Sequence, residues 1–278
     1  MPEVDFCLAD STLGYPPFAV LLDAAVAGGF AGLTLCPRRT YGRALDAGLT
    51  PGDVKLALEQ HGLRVVGLDS LIAWTGPGDP GGPYFGEPTR DQLWQARDEL
   101  DVSTINVVLL RGRTVERAQL IDSLAALAVE AEKHAAQLAV EFAPGTAVGT
   151  LADTLSVIDE VGSDRLGVTL DVWHHYVTTA PWDSTELPGA DLVRLVQLCD
   201  APDLPPKQLA AVTGTARLIP GDGIIDIASF LAMLRGNRVQ APIAVEILSP
   251  RSAQSDPVEY AREIGAACRR LPAVSVGQ

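Results

Sequence analysis

The chain has 278 residues with 47% hydrophobic and 20% charged side chains, and its 35 acidic against 21 basic groups give a formal charge of −14. That balance excludes a disordered chain, which lacks the apolar surface needed to fold. With no Lys/Arg cluster to release counterions at phosphates, it also excludes a nucleic-acid-binding protein.

Short β-branched runs alternate with longer stretches of helical periodicity, the order of βαβ units around a parallel sheet. Strands are predicted at residues 4–8, 32–35, 65–68, 105–110, 138–142, 167–170, 195–199 and 243–247. Helices are predicted between them at 18–27, 51–60, 89–100, 114–136, 150–161 and 227–234, and a last one at 258–270 follows the eighth strand. Thr50 before Pro51 and Thr150 before Leu151 read as helix starts. The Gly- and Pro-rich stretch 74–88 is expected to be a long loop on the catalytic face, and the connection 171–191 to hold a short helix. Eight β/α repeats exceed the five or six strands of a doubly wound sheet, so a single (β/α)8 barrel over residues 1–278 is expected.

Cys7, Cys36, Cys199 and Cys268 form no C-x-x-C pair and are expected to be buried, reduced thiols. The opening MPEVDFCLAD is acidic where a signal peptide is basic, and no apolar run approaches the ~18 residues of a membrane span. A cytoplasmic protein with no membrane contact is therefore expected.

In a barrel, side chains at the C-terminal strand ends converge on the active site. Four apolar runs are punctuated there by a polar group: Glu141 in AVEFAP, Asp171 in GVTLDVWHH, Gln197 in LVQLCDAP and Glu246 in IAVEILS. A lone buried carboxylate costs several kcal/mol, so three at matching depth call for a common partner, and one divalent cation supplies it. Three carboxylates and an amide oxygen suit Mn2+ or Mg2+ better than a structural zinc, with Co2+ or Zn2+ as further options. Any one of these residues taken alone reads equally well as a helix cap or the partner of an Arg.

The succession E-x-x-P, L-D-x-x-H, V-Q-L-x-D-A, P-G-x-G-x-I-D and V-E-I resembles the xylose-isomerase-like barrel superfamily, which includes sugar-phosphate isomerases and epimerases, inosose dehydratase and endonuclease IV. The resemblance runs over nearly the whole chain and is strongest from 138 to 249. It implies Glu141, Asp171, Gln197 and Glu246 as metal ligands and His174 as a residue that touches substrate or moves a proton. Many members carry His where this chain has Gln197; bacterial 3-dehydroshikimate dehydratases of the superfamily resemble it in using Gln. Arg217, in RLIPGDGIID, is implied to bind a carboxylate or oxyanion, with a salt bridge as the competing reading.

Of the four histidines, His61 and His134 fall in predicted helices, which leaves His174 and His175 as catalytic or substrate-binding candidates or as loop packing. Asp200 is read as orienting a ligand or making a turn. Trp74, Tyr84, Phe85, Trp173, Tyr176 and Trp182 either wall the substrate or pack loops.

The expected function is a metal-dependent isomerase or epimerase of a small polyhydroxylated carbonyl compound, with Glu141, His174 and Glu246 as its catalytic residues and Arg217, His175 and Trp173 at the substrate. The alternatives are a dehydratase of the dehydroshikimate or inosose type, motivated by Gln197, His174 and Arg217, and a non-catalytic metal-binding barrel. A homo-oligomer is compatible with all three.

Overall fold

Eight parallel strands close on themselves in sequence order: β1 Phe6–Ala9, β2 Gly32–Leu35, β3 Arg64–Leu71, β4 Thr104–Val108, β5 Gln137–Glu141, β6 Leu166–Asp171, β7 Val193–Leu198 and β8 Ile243–Val245. The computed structural model describes residues 5–72, 74–75, 89–109, 115–179 and 189–271. Ten α-helices are described around the barrel: α1 Phe18–Gly28, α2 Gly42–Asp46, α3 Pro51–Gln60, α4 Arg90–Leu100, α5 Arg117–Lys133, α6 Leu151–Val161, α7 Val172–Thr179, α8 Pro206–Val212, α9 Ile227–Gly236 and α10 Pro257–Arg270. None of these helices is long and apolar enough to cross a membrane.

The helix starts follow the capping chemistry in the sequence. Thr50, Thr89 and Thr150 each accept from the backbone N–H three residues on, and Asp53, Gln92 and Asp153 answer by accepting from the cap's own N–H. Between sheet and helices lies a continuous apolar core. A smaller cluster of Cys7, Ala139, Leu195 and Ala244, with half-buried Val66, brings β3 and β5 together with β1, β7 and β8, strands they do not pair with. Such contacts are made only across the inside of the barrel, so this cluster fills its interior and floors the site. All four cysteines are free and buried, and burial pushes the thiols of Cys7 and Cys268 up to about 11 and about 12.

The register sets the functional side chains at common depth. Glu141 pairs with Val108 on one side and Thr169 on the other, Asp171 pairs directly with Gln197, and the N–H of Glu246 donates to the carbonyl of Leu198 at 3.0 Å. The predicted loop at 74–88, together with Tyr84, Phe85 and Trp182, lies outside the described residues except for Trp74 and Thr75. Trp74 is buried and donates its indole N–H to the carbonyl of Val108 at 3.0 Å.

Candidate active site

Above the apolar floor, the interior of the barrel turns polar. Thr169 on β6 donates its hydroxyl to Asn106 Oδ1 at 2.7 Å. With its oxygen occupied, Asn106 on β4 spreads its amide protons between Glu141 Oε2 at 2.6 Å and Asp69 Oδ1 at 2.8 Å. Gln197 Nε2 on β7 donates to the other oxygen of Asp69 at 3.0 Å. Asp69 and Asn106 thus stand among the site residues, and neither is a candidate on the sequence reading. Their signal was present: a carboxylate ending the apolar run VVGLD, and an amide inside TINVV.

The opposite side of the ring is organised by Arg217. Its guanidinium is 2% exposed and meets Asp171 Oδ2 at 2.8 Å and Glu246 Oε2 at 2.9 Å, while Nε donates to the carbonyl of Thr213 at 3.0 Å. Burial disfavours the guanidinium cation, but Asp171, Glu246 and Glu141 outweigh that and raise its pKa. Burial likewise works against the Asp171 carboxylate, yet Arg217 and His174 hold it below the usual carboxylate range. Glu246 goes the other way: burial pushes it well above that range, Arg217 pulls back, and Asp69, Glu141 and Asp171 add to the rise. One cation thus serves two carboxylates, and the less well-paired one is driven towards its protonated form. Ser11 donates to Glu246 Oε1 at 3.3 Å.

His174 sits where these groups converge, with Nε2 3.3 Å from Glu141 Oε1 and 3.6 Å from Asp171 Oδ2. Glu141, Asp171 and His174 each bring one ligand atom within 4.8 Å of the others, a spacing suited to a metal ion. Gln197 Oε1 and His174 Nδ1 are buried polar atoms without a hydrogen-bond partner among the described residues. A donorless buried amide oxygen beside a surplus of carboxylates fits a hard divalent cation. Glu141, His174, Arg217 and Glu246, together with Asp69 and Thr213, line a cavity of about 250 Å3 at the mouth of the barrel.

Two residues expected at the substrate lie behind this wall. His175 is wholly buried, set edge-on to Phe142 at 6.2 Å between ring centroids, and burial lowers its pKa to about 4. Trp173, also wholly buried, underlies the guanidinium of Arg217 at 5.8 Å. Both follow from β6 running straight into α7: the helical turn aims His174 at the cavity and carries its sequence neighbours into the packing. Tyr176, half-buried, packs against the core.

Asp200 organises a loop. Its two oxygens accept from the backbone N–H groups of Ala201, Gly221, Gly223 and Ile225, at 2.8, 2.9, 2.9 and 2.9 Å. A Cβ on Gly223 would lie 2.2 Å from the carbonyl oxygen of Ala201, so glycine is required there. Asp200 also exchanges both backbone hydrogen bonds with Leu218, which fixes the segment that carries Arg217 into the site.

The family model described as xylose isomerase-like TIM barrel matches residues 22–271. Among curated proteins, the chain is similar to an inosose isomerase of Halalkalibacterium halodurans, 24% identical over 136 residues that make up 48% of this chain and 47% of that protein. It is also similar to a 3-dehydroshikimate dehydratase of Pseudomonas putida, 30% identical over 132 residues, or 47% of this chain and 20% of that protein. The chain thus spans about half the length of the inosose isomerase it matches, and less of the dehydratase. Among solved structures, the IOLI protein with a bound zinc atom superposes with a TM-score of 0.80 over 96% of both chains at 17% identity, a likeness of fold.

Proposed function

The chain belongs to the xylose isomerase-like TIM barrel family, and we propose that it is a divalent-metal-dependent isomerase or epimerase of a small polyhydroxylated carbonyl compound. Glu141, Asp171, Gln197 and Glu246 would hold one ion, Mn2+ or Mg2+ before Co2+ or Zn2+ on the oxygen-rich donor set. The observation that carries this reading is the buried, donorless Oε1 of Gln197 beside the carboxylates of Asp69, Glu141, Asp171 and Glu246, against which the described residues set Arg217 as a permanent cation.

When bound, a divalent cation supplies Lewis-acid polarisation of a substrate carbonyl and its neighbouring hydroxyl. The chain's own residues supply the proton traffic. Isomerisation and epimerisation need one group to take a proton from the carbon beside the carbonyl and one to return it. Glu141 on β5 and Glu246 beyond β8 face the same cavity from separate parts of the ring, and His174 Nε2 stands 3.3 Å from Glu141 Oε1, close enough to relay a proton to it.

A dehydratase is the second reading, favoured by the 30% identity to the Pseudomonas putida dehydratase. The partners of Arg217 weigh against a carboxylate substrate bound there. All three guanidinium nitrogens already face Asp171, Glu246 or Thr213. A neutral polyol ketone asks for no further cation.

Incubation of the Mn2+-loaded protein with ketoses and inososes in D2O separates the readings. Proton exchange at the carbon beside the carbonyl, seen by NMR and abolished in Glu141→Gln, supports an isomerase. A new ultraviolet-absorbing conjugated product supports a dehydratase. Stoichiometric metal with neither reaction on any such compound leaves a binding barrel.

A further inference from the structure

We propose that Asp69 is a positioning residue that fixes which end of the Gln197 amide is offered to the metal ion. The inference rests on the metal-site reading above and extends it to a residue outside the ligand set. A primary amide is nearly symmetric in shape, but its oxygen can bind a cation and its NH2 group cannot. A strand-end glutamine is therefore a competent ligand in one of two orientations that packing alone hardly distinguishes.

Here the choice is made by the direction of a hydrogen bond. An ionised carboxylate only accepts hydrogen bonds, so Asp69 Oδ2, 3.0 Å from Gln197 Nε2, holds the NH2 end towards β3 and leaves Oε1 as the buried, donorless atom. Asp69 is oriented in turn by Asn106 Nδ2 at 2.8 Å. The Thr169 hydroxyl, 2.7 Å from Asn106 Oδ1, fixes the sense of that amide too. Each link determines the next, from Thr169 through Asn106 and Asp69 to Gln197. The chain branches at Asn106, whose other contact is Glu141 Oε2 at 2.6 Å, so one network orients two of the ligands.

Asp69→Asn tests this because it keeps the shape and reverses the sense. Asn106 would still donate to the Asn carbonyl, which turns the new NH2 group towards Gln197. The Gln197 oxygen then becomes its acceptor, and the Gln197 NH2 swings into the site. Dissociation constants for Mn2+ alone, measured from the free-ion EPR signal, are compared for the wild type, Asp69→Asn, Gln197→Glu and the double variant, with circular dichroism to confirm folding.

The expected result is a loss of affinity of about tenfold or more in Asp69→Asn, the scale of losses when the partner of a metal ligand is removed. In the Gln197→Glu background the same change should cost less than about threefold or improve binding, because a carboxylate presents oxygen either way and loses a like-charged neighbour. An equal loss in both backgrounds overturns the proposal, since Asp69 would then act through its charge alone. Unchanged affinity in Asp69→Asn overturns it as well. A wild type that binds no Mn2+ sinks the metal-site reading itself, which separates the two failures. If Asp69→Asn does not fold, Asp69→Ser in the same two backgrounds replaces it: a loss confined to the glutamine background supports the proposal, and an equal loss in both refutes it.

Discussion

His175 shows what one buried titratable group does to the pH dependence of the fold. It is wholly buried, and burial moves its pKa from the usual 6.5 down to about 4. Between those values the unfolded chain holds a proton that the folded chain does not, so stability rises with pH through this window and is lost as pH falls. His175→Gln removes the titration. Relative to that variant, the wild type should lose about 2 kcal/mol between pH 7 and pH 5, read from urea midpoints at the two values. A difference that does not change with pH would mean that His175 takes up its proton in the folded protein. The comparison must be between variant and wild type, because Asp10 has the opposite slope. Burial raises its carboxylate to about 6 against the hydrogen bonds it accepts, so the folded state binds the extra proton there and stability falls as pH rises from about 4 to about 6.

At the scale of elements, α1 and α10 approach each other very closely. A Cβ on Gly265 would lie 1.9 Å from the carbonyl oxygen of Gly28, so the helices meet backbone to backbone. Gly265→Ala must push them apart, and overpacking of this kind costs about 1–3 kcal/mol. The melting temperature should fall while Mn2+ affinity stays within about twofold, because Gly28 ends α1 at the barrel face opposite the site. Altered metal binding would mean that the α1–α10 contact reaches the ligands. The same elements mark how far the sequence could be read. Thr50 with Pro51 and Thr150 announced their helices because capping is local chemistry between residues three apart. The turns at 37–46 and the helix α8 were missed, since they are too short to show a period. Strand ends located Glu141, Asp171, Gln197 and Glu246, but sequence carries no trace of who holds whom. Asp69 and Gln197 are 128 residues apart, and only barrel closure places them 3.0 Å from each other. His175 and Trp173 stand just beyond β6, at the strand end where the sequence places the substrate; on a helix, adjacent residues face apart, so His174 meets the cavity and its two neighbours are buried.

For the whole molecule, the site sets a local electrostatic strain inside a fold whose net charge is already −14. Asp69, Glu141, Asp171 and Glu246 stand together with Arg217 between two of them, and Glu246 is driven towards protonation in consequence. A divalent ion binding the folded chain would relieve that repulsion, and mass action then stabilises the whole barrel. At a free concentration one hundred times the dissociation constant the gain is about 2.7 kcal/mol, or roughly 5–10 °C in melting temperature for a domain of this size. Calorimetry with rising MnCl2 should show that increase, with the logarithmic dependence on concentration that linkage requires, and a chelator should reverse it. Glu141→Gln removes a ligand and lessens the repulsion at once. Its metal-free form should melt at or above the wild-type temperature, and it should gain little from Mn2+. A wild type that melts at the same temperature with and without Mn2+, Mg2+, Co2+ or Zn2+ would mean that these carboxylates are held by Arg217, Asn106 and Gln197 alone.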